Sequence, residues 1–476
     1  MAEFLGRNTF SPADQQRFAA LSGDANPMHM DPLAARRTQA GAPVVHGIHV
    51  MLRGFDLLAR SQPDLPPIAR LKTSFNKLIY VGDSVDYQLV QLSEKTATVD
   101  AAVDGNPLTR IIFTFGPPAE APALFAADAP AEMQAAPADL SLSDMAGRQG
   151  RIAVPATAAD ITAAFPAAAK AWSAPRLLAC LATTTLVGMV CPGLHSIYGN
   201  FTLHAVHADA AEPLAWRVML ADARVRLVRL AVQGGGVAGT VDSFVRMPPT
   251  AQAAMADLAG LVGAQEFAGS LALVAGGSRG LGELTAKFLA AGGARVIITY
   301  AAGRADAETL AAAITAWGGD CTALPYDARQ PAAPQLTALP APPTHLYYFA
   351  TPPIFRRKSG LFDAARHAEL QQFYVTGFHD LFMALHAAAP AGLAAFYPSS
   401  VAVADRPADM TEYAMAKAAG EILAADLTAH LPRARIVTAR LPRLPTDQTA
   451  TVVQADTADP IAVMLPIIRA VQGGPR

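Results

Sequence analysis

The sequence predicts a multidomain protein: two α+β blocks followed by an α/β, doubly wound parallel sheet. Three observations carry this expectation. A chain of 476 residues is too long for one hydrophobic core, and at roughly 150 residues per domain it suggests about three. In the first half each helical pattern is followed by a run of alternating strands, whereas toward the C-terminus strand and helix patterns take turns. Finally, the stretch 117–140, PPAEAPALFAADAPAEMQAAPADL, is rich in Ala and Pro and carries neither period, as a linker does. The expected partition is a block at 1–120, a linker at 121–149, a block at 150–250 and a domain at 266–476, with a weaker seam at 248–266.

The first block opens with a helix from Ser11, with Asp14 placed as in a capping box. A loop of Gly, Asp, Asn and Pro leads to a helix over 47–59 and strands over 68–75, 83–92, 96–103 and 108–115. The second block repeats that order with a helix around 174–190 and strands over 198–206, 214–220, 223–233 and 237–245. The third runs strand 271–275, helix 281–291, strand 295–299, helix 305–317 and strands 322–326 and 345–349. Helix 370–386, strand 393–397, helix 413–430 and strand 435–439 complete it.

Composition removes several function classes. Lys+Arg 37 against Asp+Glu 39 leaves a net charge of -2, which excludes a strongly basic nucleic-acid binder. Hydrophobic residues make up 52%, charged ones 16%, and the mean hydropathy is +0.25. The excess is alanine; no window of about 20 apolar residues survives Pro192, Gly193, His195 and Asn200, so no membrane span is expected. The start Met1-Ala2-Glu3-Phe4 lacks the basic and apolar regions of a signal peptide, so a soluble, cytoplasmic protein is expected. Cys180, Cys191 and Cys321 have no CxxC spacing, and His204 and His207 fall on opposite faces of a strand, so no metal site is expected.

In the third block, Gly276-Gly277-Ser278-Arg279-Gly280-Leu281-Gly282 joins the first strand to the first helix. Glycines there let the backbone turn tightly and approach a pyrophosphate at a helix N-terminus. Any glycine-rich turn has that composition; its place between strand and helix is what points to a nucleotide. Tyr413 and Lys417 lie one helical turn apart on one face, and a cation beside a phenol lowers its pKa, which suits a general acid. The second strand ends Ile297-Ile298-Thr299-Tyr300, without the carboxylate that favours a ribose 2′-hydroxyl. Arg279 and Arg304 are candidates for a 2′-phosphate.

The spacing G-x-x-x-G-x-G, with Ser400 thirteen residues before Tyr413-x-x-x-Lys417, resembles the short-chain dehydrogenase/reductase family over 266–476. That resemblance implies a Rossmann fold and NADP(H) held by Gly276, Ser278, Arg279, Gly280, Leu281, Gly282 and Arg304, with Asp327 at the adenine. Tyr413 would protonate a carbonyl oxygen, Ser400 would hydrogen-bond it, and Lys417 would hold the nicotinamide ribose. Three positions depart from the family: Phe349-Ala350-Thr351 replaces Asn-Ala-Gly, Tyr374 stands at the structural asparagine, and Pro442-Arg443 replaces Pro-Gly before a short substrate-lid segment.

In the first block, Asp24-Ala25-Asn26-Pro27-Met28-His29 places a carboxylate and an imidazole five residues apart, enough to hold a water or hydroxyl between them. Free N–H groups near Gly47, opening the next helix, could face a thioester oxygen. Asp-x-Asn-Pro is also a common turn. With Pro43-Val44-Val45-His46-Gly47 and Tyr80-Val81-Gly82-Asp83, however, residues 10–115 resemble the MaoC-like (R)-specific enoyl-CoA hydratase and dehydratase family, which has a hotdog fold. The resemblance implies that Asp24 and His29 are the catalytic pair, that Asn26 orients the loop and that Gly47 is the oxyanion donor; His46 reads as structural and Asp31 as a helix cap.

The second block lacks this motif, and its element order suggests a second, catalytically empty hotdog that completes the acyl tunnel in cis. His195 is a candidate second catalytic histidine, although a loop histidine with no carboxylate near in sequence is more often structural, and Arg224, Arg226 and Arg229 form a candidate patch for an acidic carrier. Together the two resemblances imply a homodimeric, bifunctional enzyme acting on acyl thioesters of coenzyme A or a carrier protein. It would reduce a 3-oxoacyl thioester with NADPH and dehydrate the (R)-3-hydroxyacyl product to a trans-2-enoyl thioester. The reverse sequence, as in β-oxidation, and a non-catalytic scaffold or partner subunit are the alternatives.

Overall fold

The computed structural model describes residues 2–122, 125, 130–207, 213–355, 361–449 and 456–473. The chain divides into two compact units at Pro248/Pro249.

The first unit is built on one mostly antiparallel sheet. Its strands are β1 (Glu3–Thr9), β2 (Ile68–Phe75), β3 (Ser84–Leu92), β4 (Thr96–Val103), β5 (Asn106–Phe115), β6 (Ala131–Glu132), β7 (Gln149–Ile152), β8 (Ser196–Ala205), β9 (Leu214–Asp222), β10 (Leu227–Gly234) and β11 (Val237–Val245). They lie in the order β1-β3-β4-β5-β2-β8-β11-β10-β9-β7-β6, and among these strands only the β6–β7 pairing is parallel. The two expected blocks therefore lie in one compact unit. They meet edge to edge where β2 pairs antiparallel with β8, Arg70 opposite His204 and Ser74 opposite Asn200. Each block would otherwise leave a row of unpaired backbone groups at that edge.

Each block lays one long helix on the sheet. Helix Gly47–Ser61 buries Ile48, Met51, Leu52, Phe55 and Leu58 at helical spacing, each worth about 1.5–3 kcal/mol. Its Asp56 is fully buried and accepts from the amides of Ala167 and Ala168 across the block boundary, with Arg60 at 2.7 Å. The second long helix, Ala174–Thr185, ends in a π-helical turn, Leu186–Val190, buried throughout. Among the described residues no single helix is long and apolar enough to cross a membrane.

The expected linker is not free chain. Ala138 donates to Met189 and accepts from Leu194, helix Leu142–Met145 buries Met145, and β7 joins the sheet. Docking through backbone hydrogen bonds needs no periodic side-chain pattern, so composition did not reveal it. The same holds for β1, an edge strand absent from the expectation.

The second unit is the expected doubly wound sheet. Strands β12 (Leu271–Ala275), β13 (Arg295–Tyr300), β14 (Asp320–Pro325), β15 (His345–Tyr348), β16 (Leu393–Ser400) and β17 (Ala434–Leu441) are all parallel, ordered β14-β13-β12-β15-β16-β17. The order reverses between β12 and β15, which opens a crevice at their carboxyl ends. The helix expected at 370–386 is two helices, Ala364–Gln371 and Gly377–Ala388, joined by a π-helical turn at Gln372–Thr376.

Candidate active sites

The first site lies where the two blocks of the first unit meet. Asn26 caps the short helix Pro27–Met30, its Oδ1 accepting from the Met28 amide at 3.0 Å. Its Nδ2 donates to the carbonyls of Gly188 at 2.8 Å and Gly193 at 3.3 Å, tying the loop to the second block. Asp31 caps the next helix, as expected. Asp24 is buried; its Oδ1 accepts from the Asn26 amide at 3.2 Å and its Oδ2 from the Thr184 hydroxyl at 2.6 Å. Burial pushes its carboxyl pKa up, while His29, Thr184 and Asn26 pull it down.

His29 donates Nδ1–H to the Val44 carbonyl at 2.8 Å. Its ring stacks on His46, centroids 3.9 Å apart. His46 is fully buried, Nδ1 accepting from Gln15 at 3.1 Å and Nε2 donating to the Asp24 carbonyl at 3.0 Å. Burial, and then His29, hold its pKa well below the usual imidazole range. Both nitrogens being engaged, His46 is structural. Ligand-type atoms of Asp24, His29 and His46 lie within 4.8 Å of one another, a separation that also suits proton exchange between a carboxylate and an imidazole.

A cleft of about 620 Å³, its open mouth included, reaches these groups. Asp24, His29 and Gly47 line it from the first block, and Thr184, Gly188, Ser196 and Tyr198 from the second. Val44, Phe75, Ile79, Val187 and Ile197 supply apolar walls. Gly47 opens its helix without a side-chain cap, so its N–H end faces the cleft uncapped. Phe75 lies so close that a Cβ at Gly47 would meet its ring at 2.9 Å. Thr184, Gly188 and Tyr198 escaped sequence reasoning, since no local motif marks them and only the folding of the two blocks together brings them to Asp24.

His195 does have a carboxylate: Asp139, from the expected linker, stands 3.3 Å from its Nε2. Of the candidate arginine patch, Arg224 and Arg226 sit on the turn before β10 and Arg229 within that strand, and all three are engaged within the chain. Arg224 pairs with Asp222, Arg229 with Asp242, and Arg226 donates to the carbonyls of Val245 and Arg246.

The second site occupies the crevice of the parallel sheet. Gly276 has φ +72°, and a Cβ there would stand 2.8 Å from the Phe349 backbone; at Gly282 it would stand 2.4 Å from the Gly276 carbonyl. The cradle is thus built for glycine. Ser278 and Leu281 are half-buried beside it, Gly280 has φ +58°, and helix Gly280–Ala291 carries no side-chain cap at its N-terminus. A diphosphate fits such an end.

Neither arginine expected at a 2′-phosphate is a free cation. Arg279 lies 3.1 Å from Asp447, and Arg304 pairs with Glu308 at 2.7 Å. Asp327 is bound by Arg329, which holds its pKa below the usual range.

Ser400 ends β16, and Tyr413 and Lys417 share one face of helix Thr411–His430. Ser400 hydrogen-bonds Tyr413 and partly offsets burial, which pushes the phenol up to about 12. The expected depression of this phenol by Lys417 is therefore overturned. The lysine is drawn elsewhere: its Nζ donates to the Pro398 carbonyl at 2.6 Å and sits 3.8 Å from the centre of the Tyr374 ring. Burial lowers its own pKa to about 7. Tyr374, at the position of the family asparagine, is itself pinned by a 2.5 Å hydrogen bond between its hydroxyl and Thr351.

Fold and sites together define an α+β unit with a carboxylate–imidazole cleft, followed by a parallel-sheet unit with a glycine-lined crevice. Residues 3–105 match the MaoC like domain model, and residues 270–338 match the short chain dehydrogenase model. The chain thus joins a MaoC-like, hotdog-type domain to a short-chain dehydrogenase domain.

Among curated relatives, it is 38% identical over 77 residues to an (R)-specific enoyl-CoA hydratase of Aeromonas caviae, covering 16% of this chain and 58% of that protein. It is 44% identical over 62 residues to an uncharacterized oxidoreductase of Methylorubrum extorquens, covering 13% and 25%. It is 48% identical over 40 residues to a fatty acid synthase beta subunit of Emericella nidulans, covering 8% and 2%. The chain thus spans less than two thirds of the length of each of these relatives. A short chain dehydrogenase of Burkholderia cenocepacia, solved in complex with NADP, is 25% identical, with 43% of this chain and 91% of that one covered and a TM-score of 0.38.

Proposed function

We propose that the chain is a bifunctional 3-oxoacyl-thioester reductase and (R)-3-hydroxyacyl-thioester dehydratase of fatty-acid or polyketide type synthesis. One observation carries the reading: a single chain holds a Ser400/Tyr413/Lys417 set suited to a carbonyl and an Asp24/His29 set suited to the adjacent C–H and C–OH. The product of the first reaction is the substrate of the second.

In the reductase, NADP(H) would lie along Gly276–Gly282, toward Arg304 and Asp327, and when bound it supplies the hydride. Tyr413 gives its proton to the carbonyl oxygen, and Ser400 holds that oxygen in place. The end of β13, Thr299-Tyr300, offers no carboxylate to repel a 2′-phosphate, and Arg279 would exchange Asp447 for it.

In the dehydratase, the thioester oxygen would lie at the N–H of Gly47, where the helix end stabilises enolate charge. The Asp24/His29 pair takes a proton from C2 and returns one to the departing 3-hydroxyl. One C–H and one C–O bond break, the C=C bond forms, and water leaves. The second block is read as a second hotdog that fills the place of a partner in cis.

The reverse sequence, hydration followed by oxidation, is favoured by the similarity to a protein named (R)-specific enoyl-CoA hydratase; the similarity to a fatty acid synthase subunit favours the synthetic direction.

The test supplies 3-oxoacyl thioesters of coenzyme A and of a carrier protein with NADPH, and follows cofactor oxidation and enoyl product together. Tyr413→Phe is expected to stop cofactor oxidation, and Asp24→Asn to let the 3-hydroxyacyl thioester accumulate. Turnover of neither thioester would leave the scaffold reading. A strong preference for NADH would overturn the choice of NADP(H).

A further inference from the structure

The second block lacks the Asp-x-Asn-Pro-x-His motif, yet it shapes the carboxylate of the first. The Thr184 hydroxyl donates to Asp24 Oδ2 at 2.6 Å. One helical turn later, Gly188 leaves room for the same carboxylate: a Cβ there would lie 2.4 Å from Asp24 Oδ1. The Gly188 carbonyl, turned outward in the π-helical turn Leu186–Val190, accepts from Asn26 Nδ2 at 2.8 Å. Thr185, between them, donates to the Ser22 carbonyl at 2.6 Å and locks the helix end onto the loop. All four contacts converge on one turn of the catalytic loop.

We propose that Thr184 is a positioning residue of the dehydratase, supplied by the second block, which fixes the Asp24 carboxylate in its ionised, cleft-facing form. The inference rests on the dehydratase reading. Asp24 is buried, and burial alone favours the neutral acid. A hydroxyl can donate to a carboxylate oxygen whichever rotamer the carboxyl adopts, but here its own helix holds it, so it selects one. Its donated hydrogen bond favours the charged form. Among the described residues, His29 and His46 lie nearest the carboxylate, with His46 committed to the Asp24 carbonyl, and Tyr198 and Lys77 line the same cleft. The block without a catalytic motif is therefore part of the machinery, acting through Asp24 rather than on substrate.

The experiment uses the full chain and the substitutions T184V and T184S. Valine keeps the volume and removes the donor; serine keeps the donor. Dehydration of a 3-hydroxyacyl thioester is followed as kcat/KM against pH, with NADPH-dependent reduction by the same preparation reporting on the rest of the chain. T184V is expected to lower kcat/KM about 10-fold or more and to move the acid limb upward by about one pH unit. T184S is expected to return the limb to its wild-type position. An active wild type whose limb does not move in T184V overturns the role of Thr184, even if the rate falls, because a merely structural loss scales the profile without shifting it. A wild type without dehydratase turnover overturns the dehydratase reading itself, and the role with it.

Discussion

The Lys417 ammonium lies 3.8 Å from the centre of the Tyr374 ring, the side chain that stands where an asparagine is usual. With the rings of Tyr397 and Tyr413 at 5.3 and 5.8 Å, Tyr374 forms an aromatic cradle for a buried cation whose hydrogen bond goes to the Pro398 carbonyl. A desolvated cation–π contact is worth up to about 2 kcal/mol. Tyr374→Leu is therefore expected to lower kcat for carbonyl reduction about 10-fold, whereas Tyr374→Phe, which keeps the ring, stays close to wild type. Equal rates in Leu and Phe variants would show that the ring face plays no part.

Burial lowers the Lys417 pKa from 10.5 to about 7, so between these values the unfolded chain binds the extra proton. The sign follows: stability of the second unit rises as pH increases from about 7 to about 10. Denaturant unfolding of the ligand-free protein across that range measures the slope. Lys417→Met is expected to flatten it; an unchanged slope in that variant assigns the effect to another group.

Gly188 is expected to tolerate no side chain. Gly188→Ala puts a methyl group 2.4 Å from Asp24 Oδ1, so Asp24 must leave its rotamer or the π-helical turn must reform. Dehydration is expected to fall 100-fold or more, at roughly 3 kcal/mol of lost positioning, while carbonyl reduction by the same chain is retained. Wild-type dehydration in this variant would show that the turn yields freely.

Acid is expected to destabilise the first unit. His49 stacks on Phe18 at 4.4 Å, and burial, with Arg53 adding to it, lowers its pKa to about 3. Below pH 6.5 the unfolded state gains a proton that the folded state refuses, so stability falls with pH, by about 2 kcal/mol for His49 alone at pH 5. His46 acts in the same direction and the raised Asp24 pKa in the opposite one. Denaturation midpoints at pH 7 and 5, compared with those of His49→Gln, check it.

Much of the fold was legible because it rests on local periodicity. The alternation over 96–103 became β4, the strand–glycine–helix order became the crevice, and Ser11 with Asp14 became a capping box. Where side-chain pattern was silent, expectation failed: β1 and β7 are held by backbone pairing, and the Ala/Pro stretch docks through Ala138. The two π-helical turns were also invisible. One sits against Asp24 and the other carries Tyr374, because an extra residue in a turn re-aims backbone and side chains without altering hydrophobic spacing.

The sequence by itself determined which candidate groups come together, since Asp24 and His29, and Ser400, Tyr413 and Lys417, are each set within one loop or one strand–helix step. Tertiary structure alone decided what surrounds them. Thr184 reaches Asp24 across 160 residues where the two blocks meet, and burial raises the Tyr413 phenol although a lysine stands one helical turn away. Spacing along a chain specifies which groups share a face; desolvation and long-range contacts depend on what packs over that face, and only the folded molecule supplies it.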